Sequence, residues 1–260
     1  MASGGPLGEQ VTALYAGIQA EFTKVRPDVL VFFLPDHFAD FLEVIPTFSV
    51  GVAESAPAPC DYPEQPQHVV SIDTDLAQAI HEHLVASDFD VALSQELRLD
   101  HGANVPLGVL TPDFDVPVVA IRINTFKYPL PSAARCFELG RRVREAIEAS
   151  SDKKRVAVLA TGNFSLDIGG PRMSLTNYTS IPDLAWFEHV VDRLRDGAYQ
   201  QLVSEATAEQ LANAGAEAGE TLLWLAMLGT FDPAPPAYLE PQRPFGQAFA
   251  AWSLHPTVSQ

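Results

Sequence analysis

Two runs of the chain are strand-length and almost wholly apolar, "VLVFFL" (Val29 to Leu34) and "VPVVAIRIN" (Val116 to Asn124), and "KRVAVLATGN" (Lys154 to Asn163) repeats the pattern of an apolar strand followed by a glycine turn. An apolar run without polar alternation suits a strand buried on both faces, and such strands belong to largely parallel sheets covered by helices. The segments around them read as those helices. Residues 8 to 24 carry Val11, Leu14, Tyr15, Ile18 and Phe22 at the three-and-four spacing of an amphipathic helix. Thr74 to Ala86 reads as a second. "PSAARCFELGRRVREAIEAS" reads as a third, with Ser132 as its N-cap. Further helices are expected near Leu184 to Glu205, Ala208 to Ala214 and Gly219 to Leu228. "FDVALSQEL" reads as a strand and "RLDHGANVPLGVL" as the loop after it. The proline-dense "APAPCDYPEQPQ" cannot continue a helix or an inner strand, and reads as an ordered excursion. Strands alternating with helices imply an α/β fold: a mostly buried central sheet flanked by helices, with ligands at the strands' C-terminal ends. One domain over residues 1–260 is expected.

Charge narrows the partners. Thirty-three acidic against sixteen basic side chains give a net charge of −17, so the average field repels phosphate backbones and anionic bilayers. Neither nucleic acid nor a membrane is expected as a partner. The sequence has no run of eighteen apolar residues, and "MASGGPLGEQ" lacks the basic and apolar regions of a signal peptide, so a cytoplasmic protein is expected. Cys60 and Cys136 form no CxxC pair and read as free thiols.

Three places could carry chemistry. His37, in "FFLPDHFADF", follows the first strand. By position alone it is either a ligand or an ordinary turn residue. Asp100 and His101, in "LDHGANVPL", follow another strand, and neighbouring side chains on an extended chain point apart, so a capped loop explains them equally well. Glu220 opens the apolar helix of "GETLLWLAMLG", where the helix dipole favours a carboxylate whatever its role.

Taken in order, "RPDVLVFFLPDHFADF", "IPTFSVGVAE", "DFDVALSQELRLDHGANVPL", "YPLPSAARCFELG", "ATGNFSLDIGGPR" and "GETLLWLAMLG" resemble the class III extradiol dioxygenases, typified by the β subunit of protocatechuate 4,5-dioxygenase. The resemblance implies non-haem Fe(II) held by two histidines and a glutamate, an arrangement that leaves positions open. It also implies O2 and a catechol-type or aminophenol ring as substrates. By motif, His37 matches the second histidine ligand, Glu220 the glutamate ligand, and His101 a histidine lining the substrate pocket.

Two departures accompany the match. The family's first histidine ligand, on a strand near its N-terminus, has no counterpart before His37. His68 is the least remote substitute among the other histidines. The family's acid/base histidine is replaced by Leu166 in "TGNFSLDIGGPR". Leucine transfers no proton, and Ser165 beside it is a poor replacement without a base. The departures suit a diverged subunit with impaired or partner-supplied catalysis, paired with a homologous catalytic subunit as in 2-aminophenol 1,6-dioxygenase, or a homodimer. A missing first strand would leave a sheet edge in need of cover. The alternatives are an active dioxygenase whose N-terminal segment lies outside the recorded chain, and a noncatalytic protein that binds aromatic small molecules.

Overall fold

The structure is a computed structural model that describes residues 6–58, 67–150, 152–173 and 180–254. Its centre is a five-stranded sheet in the order β5-β2-β6-β1-β7. The strands are β1 (Val29–Leu34), β2 (Phe48–Gly51), β5 (Ala92–Ser94), β6 (Val118–Ile123) and β7 (Val156–Ala160). β1 runs parallel to β6 and β7, with Phe33 opposite Ile121 on one side and Ala160 on the other. β2 runs antiparallel to β6 and parallel to β5. All residues of β1 and β6 are buried, as unbroken apolar runs require. The parallel register brings the ends of β1, β6 and β7 together, so the segments after Leu34, Ile123 and Ala160 share one rim of the sheet.

Helices cover both faces: α1 (Pro6–Val25), α2 (Thr74–Ala86), α3 (His101–Leu110), α4 (Ala133–Ala149), α5 (Leu184–Arg195), α6 (Tyr199–Glu205), α7 (Ala208–Ala214) and α8 (Thr221–Gly229). Ser132 caps α4 by accepting the Arg135 N–H at 3.2 Å. Every residue of α8 is buried, which explains its lack of any polar face. It packs on β1, β7 and α4. The α4–α8 crossing is close enough that a Cβ on Gly140 would stand 1.9 Å from the Ala226 carbonyl oxygen. None of the described helices is long and apolar enough to cross a membrane.

Several elements differ from the sequence expectation, each for a local reason. "RLDHGANVPLGVL" is mostly helix, because Asp100 accepts the Gly102 N–H at 2.9 Å and starts α3, while Pro106 stays inside it. The expected long helix at Leu184 to Glu205 breaks at Gly197, where φ is +66°, into α5 and α6. The expected strand "FDVALSQEL" pairs only over Ala92–Ser94, since it lies at the sheet's outer edge. After α8 the chain forms an antiparallel hairpin, β8 (Tyr238–Gln242) and β9 (Gln247–Ala251), in a stretch to which no element was assigned from the sequence. The hairpin holds α1 through the Tyr238 hydroxyl, which donates to the Leu14 carbonyl at 3.0 Å. Part of the proline-dense segment forms β3 (Ser55–Ala58), paired with β4 (His68–Ser71) outside the main sheet. Residues 59–66, with Cys60, lie outside the described residues; Cys136 is a buried free thiol. Among the described residues, β7 pairs on one side only, and all five of its residues are half-buried.

A methyl group at position 140 must push α4 off α8 or distort the Ala226 carbonyl. Gly140→Ala is therefore expected to destabilise the fold by about 1–3 kcal/mol or more, read as a lower urea midpoint.

Candidate metal centre

The turn after β1 is held by a cation from β6. Arg122, only 3% exposed, donates from Nη1 to Asp36 Oδ1 at 3.0 Å, pairs closely with Asp40, and donates from Nη2 to the Arg98 carbonyl. Asp36 in turn accepts the N–H groups of Asp40 and Phe41 at 3.2 and 2.9 Å, closing the turn on itself. Phe38 sits at φ +59°, a left-handed position that reverses the chain there. Both aspartates of "LPDHFADF" are thus committed to Arg122, and His37 between them faces the interior.

His37 lies between two carboxylates. Its Nδ1 is 3.1 Å from Asp100 Oδ2, and its Nε2 is 3.5 Å from Glu220 Oε1. Asp100 Oδ2 also accepts the backbone N–H of His37 at 3.1 Å, while its Oδ1 caps α3. Glu220 is 2% exposed and ends a single 3-10 turn, Ala218–Glu220, that leads into α8. Its Oε2 accepts the Asn163 N–H at 2.7 Å and the Asn163 side-chain amide at 3.1 Å. Gly162, at φ +123°, makes this approach possible: a Cβ there would stand 2.5 Å from the Cβ of Glu220. The expected pair, His37 and Glu220, is therefore brought together by the ends of β1 and β7 and the start of α8. His101 joins them by stacking on His37, with ring centroids 4.2 Å apart. The Phe126 ring stands 5.2 Å from His37 on the β6 side.

The charges are coupled. Burial alone lowers the basicity of His37, but Asp100 and Glu220 outweigh it and raise its pKa to about 10. Burial likewise opposes ionisation of Asp100, and His37 overcomes it, so the Asp100 pKa is lowered. Glu217, a residue the sequence reading passed over, is raised to about 7, first by burial and then by the Glu220 carboxylate, with His37 acting the other way. The signal for it was present in "AEAGE": acids three apart fall on one side of a helical turn.

The segment after β7 does not restore the absent proton carrier. Ser165 is fully buried and spent: its hydroxyl donates to the Ala214 carbonyl at 2.7 Å and accepts the Asp183 N–H at 2.6 Å. Asp167 fastens the same loop, accepting the N–H groups of Ala216 and Arg172 at 2.9 and 2.8 Å. Leu166, between them, accepts the Glu217 N–H on its carbonyl at 2.9 Å. Position 166 and Glu217 are thus backbone neighbours.

The remaining histidines have other surroundings. His68 stacks on Phe114 with centroids 3.8 Å apart. His81 meets the Val91 carbonyl, His83 meets Glu145 and His189 meets Glu205. His255 lies outside the described residues.

The donor types fit a ferrous ion. One imidazole and one carboxylate suit a borderline metal such as Fe(II). Two ligands at right angles on one ion, each at about 2.1 Å, stand about 3 Å apart, close to the Nε2–Oε1 spacing here. Asp100 stands behind His37 as carboxylates stand behind metal-bound histidines, its Oδ2 within ion-pair distance of Nδ1 and on the side away from Nε2. His37, Asp100 and His101 also bring ligand atoms within 4.8 Å of one another. Asp100, however, is already engaged by Gly102 and by His37 itself.

Residues 3–251 match the family described as the catalytic LigB subunit of aromatic ring-opening dioxygenase. The chain belongs to that family, the class III extradiol dioxygenases. Gallate dioxygenase from Pseudomonas putida is 32% identical over 158 residues, covering 60% of this chain and 44% of the relative. The 2,3-dihydroxyphenylpropionate/2,3-dihydroxicinnamic acid 1,2-dioxygenase of Azotobacter vinelandii is 34% identical over 173 residues, covering 66% and 54%. The chain thus spans about half the length of these curated relatives. The crystal structure of an uncharacterized protein from Escherichia coli K12 shares the fold, with a TM-score of 0.57 at 18% identity and 89% of each chain covered. Dioxygenases of the LigB family are typically iron-dependent.

The His37 pairing has a pH signature in metal-free protein. Its folded pKa, about 10, lies above the ordinary 6.5, so its contribution to stability is complete below the ordinary value and is lost as pH rises through the folded one. His37→Asn is expected to cost roughly 2 kcal/mol near pH 6 and progressively less towards pH 10. Urea unfolding of both proteins across that range measures it, and a penalty that grows with pH would contradict the pairing.

Proposed function

We propose that the chain is a single-domain subunit of an Fe(II)-dependent extradiol dioxygenase, with His37 and Glu220 as iron ligands and a catechol-type or aminophenol ring as substrate beside O2. The observation that supports it most directly is the convergence of His37 Nε2 and Glu220 Oε1 at 3.5 Å, with Asp100 behind the imidazole. When bound, Fe(II) supplies the route by which electron density passes from a chelated ring to dioxygen. The residues of this chain set the conditions for that chemistry. Asp100 orients His37, so the ring nitrogen opposite it is the one presented to the metal. The stacked rings of His37 and His101, with Phe126 alongside, give an aromatic wall against which a planar ring can lie.

Among the described residues, His37 and Glu220 supply two ligands of the three-ligand facial set that holds non-haem iron. Leu166 contributes an apolar side chain where the family pattern has a proton carrier, and the hydroxyl proton of Ser165 is already donated to the Ala214 carbonyl. The group beside this position with the chemistry to hold a proton near neutrality is Glu217. Leu166 in place of a proton carrier supports a reading in which catalysis by this chain is impaired and a homologous subunit supplies it.

Anaerobic reconstitution with Fe(II), followed by iron analysis and oxygen uptake with protocatechuate and 2-aminophenol, tests the reading. The expected result is iron that is lost on gel filtration, with little oxygen uptake until a homologous partner is added. Stoichiometric iron with rapid ring opening by the isolated chain would overturn the impaired-subunit reading. Leu166→His is expected to leave turnover at background, because it adds a proton carrier but no iron ligand; measurable ring opening by that variant alone would refute it.

A further inference from the structure

We propose that Asn163 is a positioning residue for Glu220, pinning one carboxylate oxygen so that the other alone is presented to the metal. The inference rests on the iron-site reading above and concerns how Glu220 binds. Oε2 receives both donors of Asn163, the backbone N–H at 2.7 Å and the side-chain amide at 3.1 Å. Oε1 is the oxygen that faces His37. Because the partner is a carboxylate, which only accepts, the amide must present its NH2 end.

The peptide that carries Asn163 is itself fixed. Trp224, on the first turn of α8, donates its indole N–H to the Gly162 carbonyl at 3.2 Å. Gly162 at φ +123° then turns the next N–H towards Glu220. α8 therefore supplies, three residues apart, both the indole that holds this peptide and the residue before which Glu220 stands. Two donors on Oε2 reduce its basicity and use lone pairs that a chelating carboxylate would need. Glu220 is left as a one-oxygen ligand, which keeps a further coordination position free for substrate or dioxygen.

Co(II), a spectroscopic stand-in for Fe(II), gives a test that does not depend on turnover. The full chain, Asn163→Ala, Asn163→Asp and Glu220→Gln are titrated with Co(II) by calorimetry and visible absorption, with thermal unfolding of each metal-free protein as control. Asn163→Ala is expected to weaken Co(II) binding about 10- to 100-fold, the usual effect of losing a ligand's supporting partner, and to change the Co(II) absorption intensity while Tm stays near wild type. Asn163→Asp, which keeps the shape but faces Glu220 with another carboxylate, is expected to weaken it at least as much, and it carries the test if the alanine variant does not fold. Wild-type affinity and spectrum in the Asn163 variants overturn this proposal and leave the iron site standing. Failure of the unaltered chain to bind Co(II), or binding undiminished in Glu220→Gln, overturns the iron-site reading and this inference with it.

Discussion

The site depends on one buried guanidinium. Arg122 enters from the end of β6 and meets Asp36, Asp40 and the Arg98 carbonyl, so the turn after β1 cannot relax without leaving charges unpaired in the interior. A buried ion pair contributes little net stability compared with apolar packing, but it specifies geometry, because few arrangements satisfy every donor and acceptor at once. Here it fixes the direction in which His37 leaves the backbone. The Phe41 ring, 5.7 Å from the same guanidinium, closes its remaining side.

Around that turn the site is assembled from three directions, each with its own device. The turn after β1 supplies His37, the N-cap of α3 supplies Asp100, and the 3-10 turn before α8 supplies Glu220, which Asn163 grips from beyond the end of β7. None of these segments is long, and none would hold its side chain by propensity alone. Their precision comes from the sheet register, which sets Leu34, Ile123 and Ala160 on a common rim, and from α8, which is buried all round and packs against β1 and β7. A site on strand ends thus inherits the rigidity of the core beneath it.

Much of the framework was legible in the sequence, because continuous apolar runs and three-and-four spacing are local signals. β1, β6, β7, α2, α4 and the largely apolar α8 were all legible in this way. The hairpin β8–β9 did not: "YLEPQ" and "QAFAA" are half-exposed, mixed in character and carry a proline, so no period survives in them. His37 and Glu220 were named through the ordered motifs around them, and Asp100 was named beside His101, but which side chains meet was not legible, because those contacts span the chain. Asp100 lies 63 residues from His37, and Arg122 lies 86 from Asp36. Glu217 was hidden for a different reason: an acid in a glycine-alanine segment looks like solvated surface until burial gives it a raised pKa.

Asp100 ties two things that are usually separate. One of its oxygens starts helix α3 and the other holds the imidazole of His37. The fraying of a helix end and the basicity of a histidine are therefore two readings of one carboxylate's position. Whatever draws the imidazole away from Asp100 also acts on the first turn of the helix, and whatever tightens that turn fixes the direction of the imidazole. His101, the first residue of the same helix, lies stacked on His37 and moves with both. The stacked ring and the imidazole between the two carboxylates are in this sense a single mechanical part, hinged on an aspartate.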